Sequence, residues 1–204
     1  MNPKIDYYFT CISPFTYLGH RAFLETARTA GADVNFKPVR LAKVFGNSGA
    51  KPLPERPVCR QEYRLLEIGR WAKKRSLAIN LEPAHFPTDP GLADRCVIAL
   101  QQAGENPGEF VQLVLAACWA EEKNIADEAV IREILSSLQL DAEALVAASG
   151  SVAVGEQYDR NTEDAVDQGV LGAPAYLLNG EQFWGQDRIE LLAETLESQR
   201  GVKQ

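Results

Sequence analysis

The sequence predicts an α/β fold in which a small sheet domain is split by an all-helical insertion, and three observations carry that reading. An aromatic, β-branched run near the amino end is followed by a helical pattern and a second strand-like run within about forty residues, the size of one crossover unit. Helical patterns then continue to about residue 168 with no convincing strand. From residue 170 the pattern returns to strand, tight turn, strand and helix. The order β-α-β, helical block, β-β-α is that of a thioredoxin-like fold carrying an insertion. It predicts residues 1–45 and 169–204 as the thioredoxin-like domain and residues 46–168 as the helical insertion domain.

The first strand is Ile5-Asp6-Tyr7-Tyr8-Phe9, and it breaks at Ser13-Pro14. The helix that follows turns Phe15, Leu18, Ala22 and Phe23 inward and ends at Gly31 as its C′ residue. Asp33 to Lys37 reads as the second strand, closed by Pro38. Gly46, Gly49, Pro52, Pro54 and Pro57 mark residues 46–57 as loop. A helix beginning near Arg56 carries Tyr63, Leu66, Ile68 and Trp71, and Lys73-Lys74-Arg75 at its end complement the helix dipole. Thr88 reads as the cap of the next helix, with Pro90 in its first turn, and a further helix starts at Asn106-Pro107. Asp127, Asp141 and Ser151 read as three more N-caps, and Gly169 ends the block. Ala175 to Leu178 is a strand, Asn179-Gly180 its hairpin turn, and Gln182-Phe183-Trp184 the return strand. Asp187 caps a last helix with Ile189, Leu192 and Leu196 on one face.

Composition narrows the function classes. The 204 residues suffice for one sizeable core, with 46% hydrophobic and 24% charged residues. A net charge of −7 without a basic cluster speaks against nucleic-acid binding. No stretch approaches the ~18 apolar residues of a membrane span. The cysteines, Cys11, Cys59, Cys96 and Cys118, form no C-x-x-C, and neither His20 nor His85 lies at zinc-ligand spacing from them. A cytoplasmic, reduced, metal-free protein is expected.

Two corners stand out. Ser13 reads as an ordinary N-cap, but a helix amino end also offers unpaired N–H groups and partial positive charge, which stabilise an anion such as a thiolate. Its hydroxyl would donate to a thiolate brought by a ligand; no His-Asp pair lies nearby in sequence to make it a nucleophile. Pro174 must sit at the first residue of its strand, and a cis bond after Ala173 would expose the Ala173 backbone to a peptide-like ligand added as a strand. Asp187 is either a cap or the acceptor for a ligand's α-ammonium, and Trp184 either core or a pocket wall.

Taken together, Ser13-Pro14-Phe15-Thr16-Tyr17-Leu18, Gly169-Val170-Leu171-Gly172-Ala173-Pro174 and Phe183-Trp184-Gly185-Gln186-Asp187-Arg188 resemble the 2-hydroxychromene-2-carboxylate isomerase family. That family groups with the kappa-class glutathione transferases and the DsbA-type oxidoreductases. The resemblance covers essentially the whole chain and implies the DsbA/kappa type of thioredoxin fold, glutathione as cofactor and a homodimer. It implies that Ser13 activates the thiol of bound glutathione, that Pro174 is cis, and that Gly172 and Ala173 present backbone to its cysteinyl part. Trp184, Gly185, Gln186 and Asp187 would hold the γ-glutamyl end. The implied reaction interconverts a 2-hydroxychromene-2-carboxylate-like hemiketal and trans-o-hydroxybenzylidenepyruvate, a step in aromatic (naphthalene) catabolism.

The chain departs from the family in several places. Thr10 and Cys11 stand where relatives often carry Asp and Phe. Asn47 or Lys51 would replace the loop Asn that reaches the ligand, although Ala50 falls at its place. Phe45 stands where relatives hold a basic group for the substrate carboxylate, so the glutathione half is better supported than the substrate half. Phe86 would line an aromatic pocket, and His85 is either structural or a contact for a substrate acid, the substrate being an aromatic or unsaturated keto acid. Three other outcomes remain open: a kappa-class-like transferase or peroxidase, a thiol-disulfide oxidoreductase, and a non-catalytic binding module. The oxidoreductase would need cysteines at the positions of Ser13 and Thr16, which leaves only a single-thiol role for Cys11.

Overall fold

The computed structural model describes residues 2–201. Strand β1 (Lys4–Phe9) lies centrally in a four-stranded sheet of order β2-β1-β3-β4, with β2 at Asp33–Pro38, β3 at Ala175–Leu178 and β4 at Glu181–Trp184. β1 and β2 run parallel and are joined by helix α1 (Pro14–Ala30), whereas β1–β3 and β3–β4 are antiparallel. Gly31 takes the left-handed conformation that closes α1, at φ 59°. Asn179 and Gly180 both have positive φ, as a two-residue hairpin requires. The register sets Tyr8 opposite Ala175, which brings the exit of β1 beside Pro174. Sequence-distant Ser13 and Ala173 thus meet at one end of the sheet.

Between the sheet's halves run α2 (Leu41–Ser48), α3 (Val58–Lys74), α4 (Gly91–Gln102), α5 (Gly108–Trp119), α6 (Glu128–Ser137), α7 (Ala142–Ser149) and α8 (Val152–Asp167), and α9 (Ile189–Gly201) follows the hairpin. The side chains of Asp127, Asp141 and Ser151 each accept from a backbone N–H in the first turn of their helices, as their positions predict. Thr88 does not cap α4: its hydroxyl donates to Asn124 Oδ1 at 2.8 Å, and Asp89 takes the Gly91 N–H instead.

One further expectation is corrected. The stretch 46–57 is not loop throughout, because α2 runs into it. The glycine and prolines conceal the spacing of Leu41, Val44, Phe45 and Ser48, which turns a fully buried Val44 inward before Gly49 ends the helix at φ 74°. On α3, Tyr63 and Leu66 are each 57% exposed, so the inner face is the line through Ile68 and Ala72, which packs on Leu18 of α1.

The largest buried cluster joins the sheet to α1 and α4–α9. The Tyr7 ring lies 4.5 Å from those of Phe9 and Phe23 and 5.3 Å from that of Tyr176, centre to centre. The same cluster includes Phe110, Val114 and Trp119 of α5 and Ile131 of α6. Each large side chain so buried stabilises the fold by roughly 1.5–3 kcal/mol relative to an exposed position. A second tie is ionic: Lys37 of β2 reaches Asp6 of β1 at 3.2 Å and pairs with Asp164 of α8.

Candidate active site

Ser13 sits at the handover from strand to helix, with extended backbone (φ −76°, ψ 123°) and 6% of its surface exposed. Its Oγ accepts from Thr16 N at 3.2 Å, so it does cap α1. The same hydroxyl donates to the Ala173 carbonyl at 3.4 Å, a long and therefore weak bond. The capping reading of the sequence is borne out. Among the described residues no side-chain base bonds to the Ser13 hydroxyl. His20, buried in the same helix, is bonded through its two ring nitrogens to Tyr7 OH (3.1 Å) and to the Gly108 carbonyl (2.8 Å), and burial pushes its pKa down to about 4.

The turn before Ser13 is clamped from α4. Asp94 of α4, fully buried, accepts from Cys11 N (2.8 Å), Thr10 Oγ1 (2.9 Å) and Tyr158 OH (2.7 Å). Burial outweighs those three bonds and pushes its carboxyl up to about 6. Cys11 is also fully buried, and burial together with the nearby Asp94 carboxylate raises its thiol well above the usual range. With a protonated, enclosed Cys11 and hydroxyls at positions 13 and 16, no accessible thiolate exists at this corner for disulfide exchange.

The opposite wall is the start of β3. The Ala173-Pro174 bond is cis, and Pro174 O accepts from Gly185 N at 2.9 Å, which fastens the Gly185–Asp187 turn to it. No backbone or side-chain acceptor among the described residues takes the Ala173 N–H. Gly172 is needed for close approach: a Cβ there would stand 3.0 Å from Trp184 Nε1 and 3.5 Å from the Phe45 ring. Trp184 itself is 49% exposed, which removes the core reading; its ring packs beside Gly172. Asp187 does not cap α9 as the sequence predicts. It lies in a 3₁₀ turn (Gln186–Arg188), where its carboxylate is half exposed and paired with Arg188 at 2.7 Å. Gln186 faces inward, its side-chain and backbone oxygens both accepting from Arg75, at 3.1 and 2.8 Å.

That turn is seated on α1 by Gly19, where a Cβ would come within 2.7 Å of Gln186 Cβ and 3.3 Å of its Cα. Gly19→Val is expected to cost about 1–3 kcal/mol through overpacking, read as a lowered urea midpoint. An unchanged midpoint would show that the turn shifts freely.

The remaining residues singled out from the sequence are more dispersed. Phe45 closes on Gly172, whereas Asn47 is exposed and donates to the Val166 carbonyl at 3.3 Å, and Lys51 is exposed with its own carbonyl engaged by Arg56. His85 is exposed and contacts no ionic partner among the described residues, while Phe86 is half buried with its ring 4.8 Å from that of Trp119. Trp119 connects this group to the corner, its Nε1 donating to the Ile12 carbonyl at 3.1 Å. Sequence reasoning missed Asp94, Trp119 and two arginines, Arg56 and Arg64, whose guanidinium carbons lie over Phe45 (5.5 Å) and Phe86 (5.6 Å). An acid placed among apolar helix positions, Ala93-Asp94 before Cys96-Val97-Ile98, was the available signal for Asp94.

Comparison with known proteins gives a consistent set of likenesses. The DSBA-like thioredoxin domain family matches residues 4–197. A 2-hydroxychromene-2-carboxylate isomerase of Sphingobium xenophagum is 30% identical over 200 residues, spanning 96% of this chain and 99% of the relative. Glutathione S-transferase kappa 1 of Caenorhabditis elegans is 24% identical over 208 residues, spanning 96% and 91%. A solved structure of a 2-hydroxychromene-2-carboxylate isomerase superposes with a TM-score of 0.78 at 25% identity, covering 96% of this chain and 95% of the other.

Proposed function

This chain belongs to the DSBA-like thioredoxin domain family and, within it, to the 2-hydroxychromene-2-carboxylate isomerases, and from that premise we propose that it is a glutathione-dependent isomerase. Its reaction would interconvert a 2-hydroxychromene-2-carboxylate-like hemiketal and trans-o-hydroxybenzylidenepyruvate. The observation that carries the reading is the Ser13 hydroxyl spanning from the amino end of α1 to the Ala173 carbonyl.

The residues present suit the tripeptide. The Ala173 N–H has no protein acceptor among the described residues and lies at the open start of a strand, which supports pairing with a peptide backbone. Asp187, half exposed in the 3₁₀ turn and paired among the described residues only with its neighbour Arg188, supports recognition of an α-ammonium group, and Trp184 over Gly172 supplies an apolar wall. When bound, glutathione would supply a thiol whose anion adds reversibly to the unsaturated keto acid and departs unchanged. The chain's own part is electrostatic: the Ser13 O–H, turned from its long bond to the Ala173 carbonyl, and the α1 amino end hold negative charge on a sulfur at the corner. Asp94 keeps the Thr10–Ser13 turn in place during this.

Product analysis tests the assignment. With trans-o-hydroxybenzylidenepyruvate as substrate, an isomerase returns every equivalent of glutathione intact and a product of unchanged mass. Mass-spectral detection of a retained glutathione conjugate would instead support a kappa-class-like transferase, the reading favoured by the kappa relatives. We also take the enzyme as cytoplasmic and homodimeric. Four unpaired thiols support a reducing compartment, and the exposed Val58, Tyr63 and Leu66 on the outer face of α3 support burial against a second copy.

A further inference from the structure

The proposed aromatic keto-acid substrate brings a carboxylate with no evident receiver, since Phe45 stands where a basic group is expected; the role inferred for Arg64 rests on that proposed reaction. Arg64 lies on the inner face of α3, one turn before Ile68, which packs on Leu18 of α1. Its guanidinium carbon is 5.6 Å from the Phe86 ring centre and 6.0 Å from that of Trp119, the residue whose Nε1 bonds to Ile12 next to Ser13. Arg64 is therefore a half-buried cation separated from the Ile12 carbonyl by the Trp119 ring. Among the described residues it makes no ion pair, and the charged neighbour acting on it is another cation, Arg56. Burial and that repulsion together push the guanidinium down to about 10, the opposite of what an acidic partner does.

Arg56 is held at the same side of the corner, its Nε donating to the Lys51 carbonyl at 2.7 Å and its guanidinium over Phe45, which abuts Gly172. Two arginines and three aromatic rings so lie on one side of the Ser13–Ala173 corner, and among the described residues neither arginine pairs with a carboxylate. A partly desolvated cation without a counter-charge is costly, and an incoming anion relieves that cost. A guanidinium also matches a carboxylate through two parallel N–H donors. We infer that Arg64, with Arg56 beside it, receives the substrate's carboxylate while the aromatic ring of the substrate lies against Phe86 and Trp119. Arg64 is then the residue that makes the enzyme selective for keto acids over neutral enones.

The test compares trans-o-hydroxybenzylidenepyruvate with its methyl ester in wild type and Arg64→Gln. Wild type should prefer the acid by about ten- to a hundredfold in kcat/KM, the range for a charge-assisted bidentate contact. Arg64→Gln should abolish most of that preference through KM, with the glutathione Kd unchanged within about twofold, and Arg64→Lys should recover part of it. The inference is overturned if the glutamine variant keeps the preference, if wild type turns over ester and acid alike, or if the variant's glutathione Kd rises in step with KM, which would make Arg64 a holder of the tripeptide. Calorimetry with trans-benzylidenepyruvate alone separates the two readings. A wild type that binds this acid but no glutathione sinks the proposed reaction and spares the arginine, provided Arg64→Gln abolishes that binding; retained binding sinks the arginine.

Discussion

Replacing Ser13 with alanine is expected to lower turnover by about ten- to a thousandfold, since a donor aimed at developing charge is worth ~2–4 kcal/mol of barrier. Glutathione should still bind, because Ala173, Trp184 and Asp187 are untouched. Ser13 does two things at once, however, accepting from Thr16 N and donating toward Ala173. Losing the cap costs about 1 kcal/mol of stability by itself. Ser13→Gly separates the two roles, as glycine caps within a few tenths of a kcal/mol of serine yet carries no hydroxyl. The glycine variant should match wild type in urea midpoint and match the alanine variant in turnover. Without the hydroxyl the bound thiol should ionise less readily, so the variants' pH–rate profiles should rise at higher pH than the wild-type profile. If Ser13→Ala turns over as fast as wild type, the serine is a cap and the proposed chemistry has no donor at this corner.

Much of the fold was legible because its local signals agree with the tertiary outcome. β1 is aromatic and continuous, Gly31 and Asn179-Gly180 sit where backbone conformation demands them, and Asp127, Asp141 and Ser151 cap as their positions predict. The misreadings arose where a competing partner claims the side chain. Thr88 is claimed by Asn124, and Asp187 by Arg188 within a turn that Pro174 fastens. Helix α2 was hidden because glycine and proline signal punctuation whatever the apolar spacing beneath them. The Ser13 and Pro174 corners could be singled out from residue type, yet their meeting depends on the Tyr8–Ala175 register, which no local pattern specifies. Arg64 was invisible for the same reason: a cation on a helix is ordinary until its neighbours prove to be rings and another cation.

Asp94 should carry the largest stability effect of any single side chain at the site. Asp94→Ala strands three buried donors, on Thr10, Cys11 and Tyr158, at about 1–3 kcal/mol each, so a loss on the order of 3 kcal/mol or more is expected. The effect must depend on pH, and its sign is set by the direction of the shift. The folded carboxyl titrates near 6, above its ordinary 3.8, so between those values the native state holds a proton that the unfolded chain has released. Stability from this group is fully present below the lower value and is lost as pH rises through the upper one. At 1.36 kcal/mol per unit, the window from 3.8 to about 6 amounts to roughly 3 kcal/mol. Asp94→Asn, which cannot titrate, isolates this contribution from every other acid. The stability of wild type relative to the asparagine variant should therefore fall between pH 4 and pH 7, as measured by urea midpoints, and then level off. A difference that stays flat across that range would mean that the buried carboxyl titrates normally. Because Asp94 grips the Cys11 backbone two residues before Ser13, the folded fraction of Asp94→Ala should also lose turnover with little change in glutathione affinity. Full turnover in that fraction would show that the corner holds its shape without the clamp.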